Sequence, residues 1–71
     1  MSGPWSATKA RVVLSALLRI GWTVARQKGS HRTLHCEGWA PVTFAFHDDE
    51  ELGPVMLSKI AKATGLTPDD L

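Results

Sequence analysis

The interval from Gly21 to Gly53 constrains this chain most. It carries three short β-prone runs in succession, Trp22 to Arg26, His31 to Cys36 and Val42 to His47. The connections between them, Gln27 to Ser30 and Glu37 to Pro41, are too short for a crossover, which takes about a dozen residues or more. The three strands therefore form an antiparallel meander. Side chains alternate faces along a strand. Leu34 and Cys36 then point inward, with His31, Thr33 and His35 outward. Val42, Phe44 and Phe46 belong to the inner face. Thr43, Ala45 and His47 share the outer face with the other histidines if the pairing register aligns them.

Helical patterns flank this interval. Ala10, Val13, Leu14, Leu17 and Ile20 recur at helical spacing and predict a helix over 7–20, with Ser6 or Thr8 as its N-cap and Gly21 at its end. Gly53-Pro54 opens a second helix whose stripe is Met56, Leu57, Ile60, Ala61 and Thr64. Gly65 ends it and Leu66 folds back. Met1 to Trp5, with Gly3 and Pro4 as breakers, reads as a loose lead-in, and Thr67 to Leu71 as a short turn. The fold class is α+β, in the order α-β-β-β-α. Both helices pack on one face of a three-stranded antiparallel sheet and the histidine face stays open. The 71 residues make a single domain, 1–71. A chain this small buries only about 60 % of its unfolded surface, so a large substrate must lie on the outside.

Charge is unevenly distributed. Residues 1–36 contain Lys9, Arg11, Arg19, Arg26, Lys28 and Arg32 and no acid, whereas residues 37–71 contain seven acids against Lys59 and Lys62. A basic half beside an acidic half suggests a polyanionic partner, or else two solvated faces. The lone Cys36 excludes an internal disulfide and fits a reducing cytoplasm. No apolar run approaches the roughly 18 residues of a membrane span, and no secretory pattern opens the chain. The expected localisation is cytoplasmic.

The chemistry gathers at Gln27-Lys28-Gly29-Ser30-His31-Arg32. Glycine allows a tight turn with positive φ. Lysine, serine, histidine and arginine then crowd a small surface. RNA cleaves itself without a metal when its 2′-hydroxyl loses a proton and attacks the adjacent phosphorus. Histidine is the natural base for that step, and a nearby cation stabilises the charge that develops. His31 is the candidate catalytic residue. Lys28 and Arg32 are the candidate cations, Ser30 is a phosphate or ring-orienting contact, and Arg26 belongs to a basic set that tracks phosphates. Trp39, in a loop, is available for base stacking, whereas Trp22 packs under the first helix.

Helix, Gly21-Trp22, the Arg26–His31 segment, a strand ending in a histidine, and a helix closing with Gly65-Leu66 together resemble the HicA family, small mRNA interferase toxins of toxin–antitoxin pairs. The resemblance covers roughly residues 9–66. It implies a double-stranded-RNA-binding-domain-like fold, endoribonuclease activity on mRNA that arrests translation, and a HicB-like antitoxin as protein partner; no cofactor and no metal are expected. It places the essential histidine on His31, the turn residues on Lys28, Gly29 and Ser30, and a later strand histidine on His47, with Gly29 and His47 in supporting roles. Two departures stand out. His47 sits in Phe46-His47-Asp48 without flanking prolines, and the second helix opens Val55-Met56-Leu57 in place of Gly-Thr-Leu.

Three alternatives compete. The first is a non-catalytic RNA-binding module, because a fold does not fix a function. The second is a protein-interaction domain. The third is a metal site from His31, His35, Cys36 and His47. Strand rise sets His31 and His35 about 13 Å apart, and Cys36 points to the other face, which counts against a shared ion.

Overall fold

The computed structural model describes residues 5–71, so Met1 to Pro4 of the lead-in lie outside the described residues. Trp5 packs partly buried against the core. The elements are β1 (Thr8–Lys9), α1 (Ala10–Arg19), β2 (Thr23–Lys28), β3 (His31–His35), β4 (Val42–Ala45), β5 (Glu51–Leu52) and α2 (Pro54–Thr64), followed by a 3-10 turn, Pro68–Asp70. The fold is α+β, with β2, β3 and β4 in an antiparallel sheet in chain order. Ala10, Val13, Ala16 and Leu17 of α1 and Leu57 and Ile60 of α2 share one buried core with Leu34 and Phe44 of the sheet. Both helices therefore cover the Leu34–Phe44 face and leave the other bare.

Both helices end as their glycines dictate. At the end of α1, Gly21 takes φ +113, its N–H donates to the Leu18 carbonyl, and the Trp22 N–H donates to the Leu17 carbonyl at 3.0 Å. This pair of bonds is a Schellman closure, and the apolar contact that accompanies it comes from Trp22 and Leu17, both fully buried. At the end of α2, Gly65 takes φ +78 and its N–H reaches the Ala61 carbonyl at 2.8 Å. Leu66 then folds into the core. The Trp22 indole N–H donates to the Thr64 carbonyl at 3.1 Å, so the ends of the two helices are tied together.

The start of α1 departs from expectation. Thr8 and Lys9 are not helical but pair antiparallel with Leu52 and Glu51, and α1 starts at Ala10. No side chain caps it, neither Ser6 nor Thr8. The acidic connection between β4 and β5 does so through its backbone. The Ala10 N–H donates to the Glu50 carbonyl at 2.8 Å and the Arg11 N–H to the Asp48 carbonyl at 3.1 Å. Two of the unpaired N–H groups of the first turn are thereby satisfied from a distant part of the chain. Asp48 to Glu51 is thus a structural connection that holds the start of α1.

Candidate functional site

The bare sheet face is built around the hairpin of β2 and β3. Gly29, at φ +60, and Ser30, with no positive φ, form a two-residue turn. Glycine first and an ordinary residue second suits a type II′ turn, whose twist matches the flanking strands. The first strand, expected to stop at Arg26, runs on to Lys28. Lys28 is therefore inside the ladder, directly across from His31. Side chains so paired have Cβ atoms about 5 Å apart and lie on the same face. His31 and Lys28 are both exposed.

A second feature sets which cations share this face. The register slips between Val24 and Arg26, so Ala25 is an extra residue in β2. Val24 lies opposite Leu34 on the core side, yet Arg26 lies opposite Thr33 and Lys28 opposite His31 on the open side. Strict alternation from Val24 would have put Arg26 and Lys28 on the core face. The bulge at Ala25 leaves no sequence signature such as glycine. Across β4, His31 faces Ala45 and Thr33 faces Thr43, so the expected alignment of outer residues holds through Ala45. The strand stops there because β3 begins at His31 and offers Phe46 and His47 no partner.

The register divides the expected site residues into two groups. Arg26, Lys28, His31 and His35 share the open face. Arg32 does not, because it pairs with Gln27 on one side and Phe44 on the other, on the helix-covered face. Its side chain is only 14 % exposed and its Nη2 donates to Asp48 Oδ1 at 3.3 Å. Its Nη1 is buried with no partner among the described residues. The parity of position 32 with Leu34 and Cys36 was the sequence signal for this placement. Ser30, Gly29, Arg32 and His47 line an open depression of about 340 Å³ around the end of the sheet, together with Phe46, Asp48 and Asp49. His47 is exposed and its backbone N–H donates to Glu50 Oε1. Trp39 lies against Gly65 and within 6.2 Å of the Trp22 ring, which leaves it half exposed at 46 %.

Part of the uneven charge of the sequence is met within the fold. Arg11 pairs with Asp49 at 2.8 Å, Arg32 pairs with Asp48, Arg19 donates to the Asp70 carbonyl, and Lys9 lies opposite Glu51. The basic first half is thus fastened to the acidic second half. Among the described residues, Arg26 and Lys28 form no ion pair. Both stand on a face whose outward ladder residues include no carboxylate. An imidazole beside an ammonium group on an open, cation-only surface can take a proton from a hydroxyl while the neighbouring charge stabilises an anionic transition state.

A family model described as HicA toxin of bacterial toxin-antitoxin matches residues 10–66. No curated protein and no solved structure matches the chain.

Proposed function

The chain belongs to the HicA family of bacterial toxin–antitoxin toxins, and on that premise we propose that it is a metal-independent endoribonuclease that cleaves mRNA. The observation that carries this reading is the ladder pair Lys28–His31 on the open face. The His31 imidazole takes the proton from a ribose 2′-hydroxyl. The 2′-oxygen attacks the adjacent phosphorus, and the bond from phosphorus to the 5′-oxygen breaks. The Lys28 ammonium stabilises the charge on the non-bridging oxygens. His31, now protonated, returns the proton to the leaving 5′-oxygen, since one group can serve two successive transfers. The products are a 2′,3′-cyclic phosphate and a 5′-hydroxyl.

Arg26 contacts a neighbouring phosphate, and Ser30 supplies a hydroxyl beside the turn. Gly29 permits the turn, and His47 borders it through the depression it shares with Ser30. Arg32, grouped with the RNA contacts on sequence grounds, is better suited to hold Asp48 and the β4–β5 connection. The protein partner is a HicB-like antitoxin, and the setting is the cytoplasm. Among the described residues, no helix is long and apolar enough to cross a membrane.

The test is His31→Ala. Cleavage and growth arrest should disappear while the fold and antitoxin binding persist, because His31 is exposed. Full toxicity from a folded His31→Ala protein refutes the mechanism. Products ending in a 3′-hydroxyl point to a different reaction. RNA binding without cleavage by the wild type returns the reading to a non-catalytic module.

A further inference from the structure

Beyond the Lys28–His31 pair, the open face carries a second group of side chains at the bulge. Arg26, Thr33 and His35 surround a depression of about 270 Å³ together with Ala25. Arg26 and Thr33 are ladder partners, one outward step along the hairpin from Lys28 and His31. Alternate residues of a strand lie about 6.6 Å apart, close to the separation of successive phosphates in an extended ribonucleotide chain. The depression exists where it does because the extra residue, Ala25, bows β2 and sends Arg26 outward. Arg26 and His35 are exposed, and no acidic residue lines the depression. The lining supplies a guanidinium that can grip phosphate oxygens in a fork, a hydroxyl, and an imidazole that can donate to oxygen or stack on a base.

We propose that Arg26, Thr33 and His35 form a second nucleotide subsite, which holds the phosphate and ribose next to the cleaved linkage, so that single-stranded RNA runs along β2 and β3. The inference rests on the nuclease reading and deepens it. Its direct consequence is length dependence. A dinucleotide fills only the Lys28–His31 position, whereas a longer strand fills both.

The experiment compares cleavage of a dinucleotide and of an unstructured 12-mer RNA by the wild type, Arg26→Gln, Arg26→Lys and His35→Gln. The 12-mer-to-dinucleotide ratio of kcat/KM should fall about tenfold in Arg26→Gln, the scale of one charge-assisted phosphate contact. The fall should lie in KM for the 12-mer, with Arg26→Lys recovering part of it and His35→Gln lowering the ratio by a smaller factor. A binding readout needs no catalysis. In a His31→Ala background, the dependence of 12-mer affinity on log salt should lose about 0.7 of slope in Arg26→Gln, the loss expected for one contact with a single strand. Equal losses on both substrates, or an unchanged ratio and slope, overturn the subsite and leave the nuclease reading standing. Weakened antitoxin binding with an unchanged ratio also overturns it, because the strip is then a protein contact. If the wild type cleaves neither RNA, the nuclease reading fails. The slope in the His31→Ala background then still decides whether RNA lies along the strip.

Discussion

Asp48→Ala and Arg32→Met remove the same ion pair, yet they should differ sharply in cost. The Arg32 guanidinium is largely desolvated, at 14 % exposure, while the Asp48 carboxylate is 63 % exposed. Attraction across a pair with one exposed partner contributes only about 0.2–1 kcal/mol. Asp48→Ala does more than forfeit that. It leaves a desolvated guanidinium whose Nη1 has no partner among the described residues and whose Nη2 has just lost its acceptor. An unsatisfied buried donor adds about 1–3 kcal/mol, for a total of about 1–4 kcal/mol. Each kcal/mol is worth about 4–8 °C in a domain of this size, so a mid-range loss of about 2.5 kcal/mol should lower the melting temperature by roughly 10–20 °C. Arg32→Met removes the charge, the orphaned N–H and the ion pair together, and an unbranched side chain takes the place of the buried stem. Its cost should stay under about 1 kcal/mol. Thermal unfolding followed by circular dichroism, on the wild type, both single variants and the double variant, reads the difference. The double variant should melt near Arg32→Met and well above Asp48→Ala, a strong departure from additivity. If Arg32→Met melts as low as Asp48→Ala, the reasoning is wrong, and Arg32 stabilises the fold through something other than this pair.

Gly65→Ala should cost about 1–2 kcal/mol from positive φ alone, and more because the new Cβ would stand 3.0 Å from Cζ2 of Trp39. Gly29→Ala, at φ +60 with nothing within 4 Å of the new Cβ, should show the strain without the collision. A tryptophan fluorescence change in Gly65→Ala only is the discriminating readout, and equal spectra count against the Trp39 contact. Deleting Ala25 leaves Arg26 opposite Thr33 and Lys28 opposite His31 in a regular ladder, so a stably folded protein is expected by thermal melt. Failure of the deletion to fold means that the bulge is needed for the sheet itself. Trp22→Phe loses the indole bond to the Thr64 carbonyl as well as buried volume. It should destabilise by about 2 kcal/mol or more in denaturant titration, and a neutral result would show that the two helix ends are not held by that bond.

Much of the fold is written in local rules that this chain obeys. Helical spacing marks α1 and α2, and glycines 21 and 65 stop them where left-handed backbone is needed. Proline at the first turn of α2 and the short β connections behave as their chemistry requires. What escapes a linear reading depends on distant partners. Carbonyls of Asp48 and Glu50 cap α1 from across the molecule, in the place where Ser6 or Thr8 looked sufficient. The pairing of Thr8–Lys9 with Glu51–Leu52 joins segments that carry no hairpin signal between them. At the site, His31 and the glycine turn were legible because a turn is local. The bulge at Ala25 was not, because alanine there has no distinguishing chemistry and only the partner strand reveals the slip. Arg32 shows a different kind of miss. Its parity assigned it to the covered face, but its charge drew it into the surface set, and the register decides for parity.

The pairing of Thr8 with Leu52 fastens two points 44 positions apart (52 − 8), and everything between them becomes a closed ring. Closing a ring of that length costs about 3 kcal/mol in chain entropy beyond a constant term, far more than two short ladder pairs return. The hairpin and the packed helix α1 lie inside that ring and bring its ends together, so the clasp draws on their order as much as on its own two pairs. The residues ahead of Ala10 and those leading into Pro54 thus hold each other through the same two ladder pairs.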